Sequence, residues 1–228
     1  MLCDTLEIIN DEMSRAVKRS GRSKDSVRLV AVSKRQNIEK IRQAISCGQL
    51  IFGENYLQEA REKIPACQEE LSWHFIGHLQ SNKAALAVEL FNVIETVDRI
   101  KIARLLDKHA QRLGRKTEIL LQVNIGKEKQ KHGVLPDDAE ALLREILVET
   151  QLKVRGLMAI PPWSAQPENS RMYFRKLRQL SETLADKGLF TGNNTVELSM
   201  GMSADFTIAI EEGATLVRVG TALFGQRE

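Results

Sequence analysis

Apolar residues along this chain follow two periods in turn, and their order lays out a fold. Leu2, Leu6, Ile9, Met13 and Val17 recur at helical spacing and the run stops at Gly21, which predicts an amphipathic lead-in helix. A short β-rich run followed by a helical pattern then repeats along the chain. Residues 27–33 (VRLVAVS) are Val-rich and bounded by polar positions, as a strand is. Asn37 can cap a helix carrying Ile38, Ile41 and Ile45, closed by Gly48. Residues 50–53 predict a second strand and 55–63 a second helix. Residues 73–77 (WHFIG) predict a third strand, with Ser81 or Asn82 opening the helix after it.

The rhythm continues to the C-terminal end. Residues 91–97 (FNVIETV) predict the fourth strand, and Asp98 caps a helix that buries Ile102, Leu105, Leu106 and Leu113 before Gly114. Residues 117–124 predict the fifth strand. Pro136, at a favoured first-turn position, starts a helix with Leu142, Leu143, Ile146 and Leu147. Residues 153–160 predict the sixth strand, and a loop leads to a helix with Tyr173, Leu177, Leu180 and Leu184 that stops at Gly188. Residues 195–198 give the seventh strand, 203–212 a helix and 215–219 the eighth strand. Strands alternating with helices imply parallel pairing, because each helix serves as a crossover. Eight units predict an α/β fold, a single (β/α)8 TIM barrel with an N-terminal lead-in helix, over one domain spanning 1–228. A doubly wound open sheet is the competing architecture. No Gly-x-Gly-x-x-Gly follows any predicted strand, which weakens its dinucleotide-binding form.

Composition narrows the function classes. The 228 residues are 43% apolar and 28% charged, so a full core can be buried without a metal or a disulfide framework. Cys3, Cys47 and Cys67 are far apart and odd in number; they predict neither disulfides nor a metal-ligand pattern, and a reduced cytoplasm is the simplest setting. No apolar run approaches the ~18 residues of a membrane span. The first residues are acidic where a signal peptide is basic. A net charge of +3 is spread along the chain and aromatics are 5%, so no nucleic-acid surface is indicated.

Barrels of this kind place their chemistry at the C-terminal ends of the strands. The positions there are Lys34, Glu54 with Asn55, His78, Asn124, Met158, residues 199–203, and Arg218 with Gly220 and Thr221. Alternation puts Lys34 on the side of Val30 and Val32. An ammonium at the mouth of an apolar pocket loses proton affinity and becomes a nucleophile suited to Schiff-base chemistry; the plain alternative is a solvated loop lysine. Residues 199–203 (SMGMS) form a turn running into a helix N-terminus, where backbone N–H groups favour an anion. Gly220-Thr221-Ala222 let backbone approach a ligand, and Asp205 would compete with a phosphate there. Ser203 as a simple N-cap is the plain alternative. Arg218 is a charge inside an apolar strand and needs an acceptor, either a carboxylate of another strand or a ligand atom. His74 and His78 lack the metalloprotease pattern, so no metal is expected there. Lys127, Lys129 and Lys131 with Glu128 read as a solvated loop, and Met158, Met200 and Met202 as packing.

Several of these runs are ordered as in one known family. They are Ala31-Val-Ser-Lys34, Phe52-Gly-Glu-Asn-Tyr56 with Gln58-Glu59, and Trp73-His-Phe-Ile-Gly77 with Leu79-Gln80 and Asn82-Lys83. Val123-Asn124, Lys131-x-Gly133, Gly156-Leu-Met158, Leu198-Ser-Met-Gly-Met-Ser203-x-Asp205 and Val217-Arg-x-Gly220 follow. From about Val27 to Gly225 the chain resembles the YggS/PROSC family, the pyridoxal 5′-phosphate (PLP) homeostasis proteins; His78 stands where some members carry proline.

The resemblance implies a barrel like the N-terminal domain of bacterial alanine racemase. It implies that Lys34 holds PLP as a Schiff base, and that Ser199 and Ser203, with backbone at Met200, Gly220 and Thr221, cradle its phosphate. Asn55 would lie beside the cofactor and Arg218 would face the pyridine nitrogen. An arginine stays protonated and can only donate to an unprotonated ring nitrogen, which leaves the ring a weak electron sink. Reversible PLP capture without established turnover is therefore the expected function, in vitamin B6 and amino-acid homeostasis, in a cytoplasmic monomer. PLP-dependent apo-enzymes or a regulatory protein are the candidate partners. A racemase-like PLP enzyme is the alternative, and a cofactor-free Schiff-base aldolase on a phosphorylated sugar is a third reading. Eight units use almost all of the 228 residues. Alanine racemase has a further β domain that provides a second acid–base tyrosine, and the length leaves no room for one, which favours holding over turnover.

Overall fold

Strands with apolar residues on both faces must be covered on both, and here they are. β1 (Arg28–Val32), β2 (Ile51–Glu54), β3 (Ser72–Phe75), β4 (Val93–Val97), β5 (Glu118–Val123), β6 (Lys153–Ala159), β7 (Glu197–Met202) and β8 (Leu216–Val219) close into a barrel in chain order. Neighbours are parallel throughout, including β8 on β1. The computed structural model describes residues 1–67, 70–192 and 196–225. α2 (Ile38–Ser46), α3 (Leu57–Ala66), α4 (Ala84–Leu90), α5 (Ile100–Arg112), α6 (Ala139–Glu149), α7 (Arg171–Asp186) and α8 (Phe206–Glu211) are the crossovers. The lead-in helix α1 (Leu2–Arg19) lies against α8, α2 and a short closing helix α9 (Thr221–Phe224). Among the described residues no helix is long and apolar enough to cross a membrane.

The period-two pattern separates two cores. Leu29, Ala31, Phe52, Trp73, Phe75, Ile119 and Leu121 face the helices and join the large outer core. Val30, Val93, Leu120, Met158 and Leu216 face inward and make their own cluster. α1 buries Leu6, Ile9, Met13 and Val17, as its spacing predicts, with Ala16 beside them and Leu2 half-buried. The Arg22 guanidinium ties its end to the carbonyls of Ile210 and Ala214. Asn37 caps α2, its side chain accepting from the Lys40 N–H at 2.9 Å.

Four expectations change. Asp98 does not cap α5: Arg99 holds that position, and the Asp98 carboxylate pairs with the Arg99 guanidinium instead. β7 does not end at Leu198. It runs on to Met202 because its pairing with β8 continues through an irregular register, so α8 begins at Phe206 rather than at 203. Thr195, expected to open that strand, lies outside the described residues. Cys3 and Cys47 are joined in a disulfide with their Cα atoms 5.3 Å apart, since packing α1 on α2 brings together positions 44 apart in sequence. That proximity is tertiary, and cysteine spacing along the chain does not carry it.

Candidate functional site

The C-terminal end of β1 is clamped on both sides of Lys34. Ser33 Oγ donates to Glu54 Oε1 at 2.8 Å, and its carbonyl accepts from Lys63 Nζ at 2.8 Å. Arg35 sits in the left-handed region (φ 59), which turns the chain, and its N–H donates to Glu59 Oε2 at 2.7 Å. Lys63, on α3, also donates to Glu54 Oε1 at 2.8 Å and Glu59 Oε2 at 2.7 Å. Burial pushes the Glu54 carboxyl up from its ordinary value, against the pull of Lys63 and Ser33. Between these fixed neighbours the half-buried Lys34 points inward with Val32, as strand alternation predicts.

Lys34 and Val32 line a cavity of about 270 Å³ at the barrel mouth, together with Asn55, Ile76, Ile160, Met202, Ser203, Ala204, Arg218, Gly220 and Thr221. Asn55 follows β2, and its Oδ1 is buried without a hydrogen-bond partner. A buried acceptor left unbonded is costly, so a donor from a bound molecule is what the position calls for. Gly77 permits the close approach there: a Cβ on it would stand 2.2 Å from the Asn55 carbonyl oxygen. Across the mouth, Ser203 Oγ accepts from the N–H groups of Gly220 and Ala222, both at 3.3 Å. The Asp205 carboxylate turns away from these groups and accepts from the Met202 N–H at 2.7 Å, which removes the competition expected at this turn. Gly201 (φ +88) makes the turn possible, since a Cβ there would meet Ala209 Cβ at 2.5 Å.

Beneath the cavity a polar chain runs through the barrel. Arg218 Nη1 donates to Ser199 Oγ at 2.6 Å and Nη2 to the Ala159 carbonyl at 2.9 Å. Ser199 donates in turn to Glu95, whose other oxygen meets His74 Nδ1 at 2.6 Å. Burial lowers the Arg218 pKa, and the charges of Glu95 and Asp205 oppose that. Burial alone would raise Glu95. Hydrogen bonding and charge from His74, the charge of Arg218 and the Ser199 hydroxyl together hold it below its ordinary value. Arg218 therefore has the carboxylate its burial demands, reached through a serine.

Of the predicted residues, Lys34, Asn55, Ser203, Arg218, Gly220 and Thr221 border one cavity. The Ser199 hydroxyl does not join Ser203 there: β7 turns it into the barrel, between Glu95 and Arg218. The Met200 side chain packs in the outer core, so only its backbone is placed to serve a ligand. Ile76, Ile160 and Ala204 complete the lining without having been singled out by sequence, and Met202, expected as packing, lines it too. Glu95 was legible in principle, as a carboxylate inside the apolar run VIETV that mirrors Arg218 in LVRV.

Comparison with known proteins places this architecture. Residues 9–228 match the family described as alanine racemase, N-terminal domain. The pyridoxal phosphate homeostasis protein of Aquifex aeolicus is 40% identical over 227 residues, 99% of this chain and 98% of that one. Its counterpart in Escherichia coli K12 is 41% identical, covering 100% of this chain and 97% of that one. The solved structure of PipY from Synechococcus elongatus with PLP bound superposes with a TM-score of 0.85 at 37% identity, over 99% of this chain and all of that one. The chain therefore belongs to the pyridoxal phosphate homeostasis protein family, on an alanine racemase N-terminal type of barrel.

Proposed function

We propose that this protein binds pyridoxal 5′-phosphate at the barrel mouth, with Lys34 as its covalent anchor, and serves intracellular vitamin B6 and amino-acid homeostasis rather than catalytic turnover. The observation that carries the reading is one cavity that joins the Lys34 amine, the unpartnered Asn55 Oδ1 and the Ser203–Gly220–Thr221 turn. When bound, PLP supplies an aldehyde that captures an amine reversibly, a phosphate and a ring nitrogen. The chain's own groups match those features. Ser203 and the backbone at Gly220, Thr221 and Met200 are the anion-binding set, and the Asn55 Oδ1 acceptor suits the one donor PLP carries on its ring, the hydroxyl. Arg218, fixed by Ser199 and Ala159, has further N–H groups to donate at the cavity edge. In this reading Ser199 acts by orienting Arg218 rather than by touching phosphate. The lining carries two ionisable side chains, Lys34 and Arg218, and a guanidinium does not exchange its proton at neutral pH. Proton transfer on both faces of an amino acid needs a second titrating group besides Lys34, so the lining supports retention over racemisation. A monomeric cytoplasmic protein that hands PLP to apo-enzymes is the cellular form of this proposal, and in that compartment the Cys3 and Cys47 thiols would stand reduced.

The test is borohydride reduction of PLP-loaded protein followed by peptide mapping. Label on Lys34, with loss of the visible band in Lys34→Ala, is the expected result. Label on another lysine, or a protein that stays colourless with PLP, overturns the assignment.

A further inference from the structure

We propose that His78, Asp98 and His132 form a binding site for one divalent transition-metal ion, zinc foremost, on the rim of the barrel mouth beside the Lys34 cavity. The three side chains come from the segments after β3, β4 and β5, and one ligand atom from each lies within 4.8 Å of the others. Ligand atoms in a tetrahedral zinc site stand about 3.4 Å apart, given bonds of about 2.0–2.2 Å. Closing that difference takes a rotation of the two imidazoles, both of which are exposed. The His78 and His132 rings stack, with centroids 3.6 Å apart and planes 14° from parallel, so their in-plane lone pairs run side by side and the rings must leave the stack to converge on one ion. Two imidazoles and one carboxylate are a donor set suited to borderline metals, and exposure leaves the fourth position to water.

The segments that carry the ligands are tied down by hydrogen bonds to their backbone. Thr96 Oγ1 donates to the Gly77 carbonyl at 2.6 Å, and Arg99 Nη2 to the Leu79 carbonyl at 3.0 Å. These two bonds flank His78 on one side of the site and Asp98 on the other. His132 lies in a loop that Asn124 closes by donating to the Glu128 and Lys131 carbonyls at 2.8 and 3.3 Å. The loop is sealed again where the Asn124 N–H meets the Val134 carbonyl at 2.8 Å. Arg99 pairs with Asp98 and would share the carboxylate with the ion.

The site is separate from the Lys34 machinery. His78 borders a neighbouring depression that shares Asn55 with the main cavity, while His132 and Asp98 border neither. Sequence reading does not find it, because the partner of His78 is not His74, four residues back, but His132 on another strand's loop.

The test is Zn²⁺ titration by calorimetry, with Co²⁺ absorption as a second probe, on tag-free, chelator-stripped protein. Wild type and the His78→Ala, His132→Ala, Asp98→Asn and His109→Ala variants are compared. Wild type should bind about one equivalent, with a visible cobalt spectrum of low coordination number. Affinity should fall at least about 10-fold in each of the three ligand variants and stay unchanged in His109→Ala. Metal-free melting temperatures of the variants should match wild type, showing that the fold is retained. Wild type that shows no saturable Zn²⁺ binding, or His78→Ala and His132→Ala variants that bind as wild type does, overturns the proposal.

Discussion

Replacing Lys63 with Met should destabilise the fold by more than a surface charge ever does. Lys63 is buried and all three of its protons are used, on the Ser33 carbonyl, Glu54 and Glu59. Without it the fully buried Glu54 keeps only the Ser33 hydroxyl, and its Oε2 lacks a partner already. An uncompensated buried charge costs about 3–5 kcal/mol, against a total of about 5–15 kcal/mol for a typical domain. Adding Glu54→Gln removes the charge as well, leaving a hydrogen-bond loss of about 1–2 kcal/mol. The pH dependence follows from the direction of the shift. Glu54 is already raised by burial, and loss of Lys63 raises it further. A raised carboxyl contributes stability that is complete below its unfolded value of about 4.3 and is lost as pH rises through the folded value. The Lys63→Met deficit should therefore be smaller near about pH 4 than at about pH 7. Urea unfolding of the two variants and wild type at both pH values measures it. A deficit under about 1 kcal/mol at pH 7, an equal deficit at both, or no recovery in the double variant would refute the reasoning.

Two further outcomes are expected. Glu95 is shifted the other way, since its partners outweigh its burial, so its contribution is present above about 4.3 and lost as pH falls through its lower folded value. Glu95→Gln should leave Arg218 without its charge partner, cost about 3–5 kcal/mol at neutral pH and flatten the acid limb of a melting-temperature series; an unaltered acid limb would tell against it. The Cys3–Cys47 bridge closes a separation of 44 residues, for which chain entropy gives roughly 4 kcal/mol. Oxidised protein should melt higher than protein in reductant, and Cys3→Ser should melt like the reduced form whether or not reductant is present.

The architecture was legible because it rests on local pattern. Strand alternation placed Lys34 beside Val32, and Asn37 announced its own cap. What escaped reading depends on which strands become neighbours across a closed barrel. Lys63 looks like a helix-surface lysine paired with Glu59 four residues earlier on α3, and only the β1–β2 pairing adds Ser33 and Glu54 around it. Ser199 belongs to an anion-binding sequence, yet its strand continues past it and turns its hydroxyl inward. Asp205, which as a first-turn acid would weaken phosphate binding, is occupied by the Met202 N–H. For Lys63 and Ser199 the partner is assigned by tertiary closure, whereas Asp205 is taken by a turn bond three residues back.

The same closure bears on why such a site would hold a cofactor. Both Nη atoms of Arg218 are committed to protein acceptors on β7 and at the end of β6, and Glu95 balances the charge from β4. The guanidinium cannot swing out, and it cannot serve as a proton shuttle. Past the end of the neighbouring strand β1, the backbone at Ser33 and Arg35 is bonded on both sides of Lys34, so the lysine stem begins from a fixed point. Little conformational freedom remains to be lost when a ligand spans these two anchors, and that favours affinity. Turnover asks for the reverse, a group that titrates and shifts between two states near neutral pH. The rigidity of Arg218 and of the Lys34 backbone is thus consistent with capture and release governed by Lys34 alone.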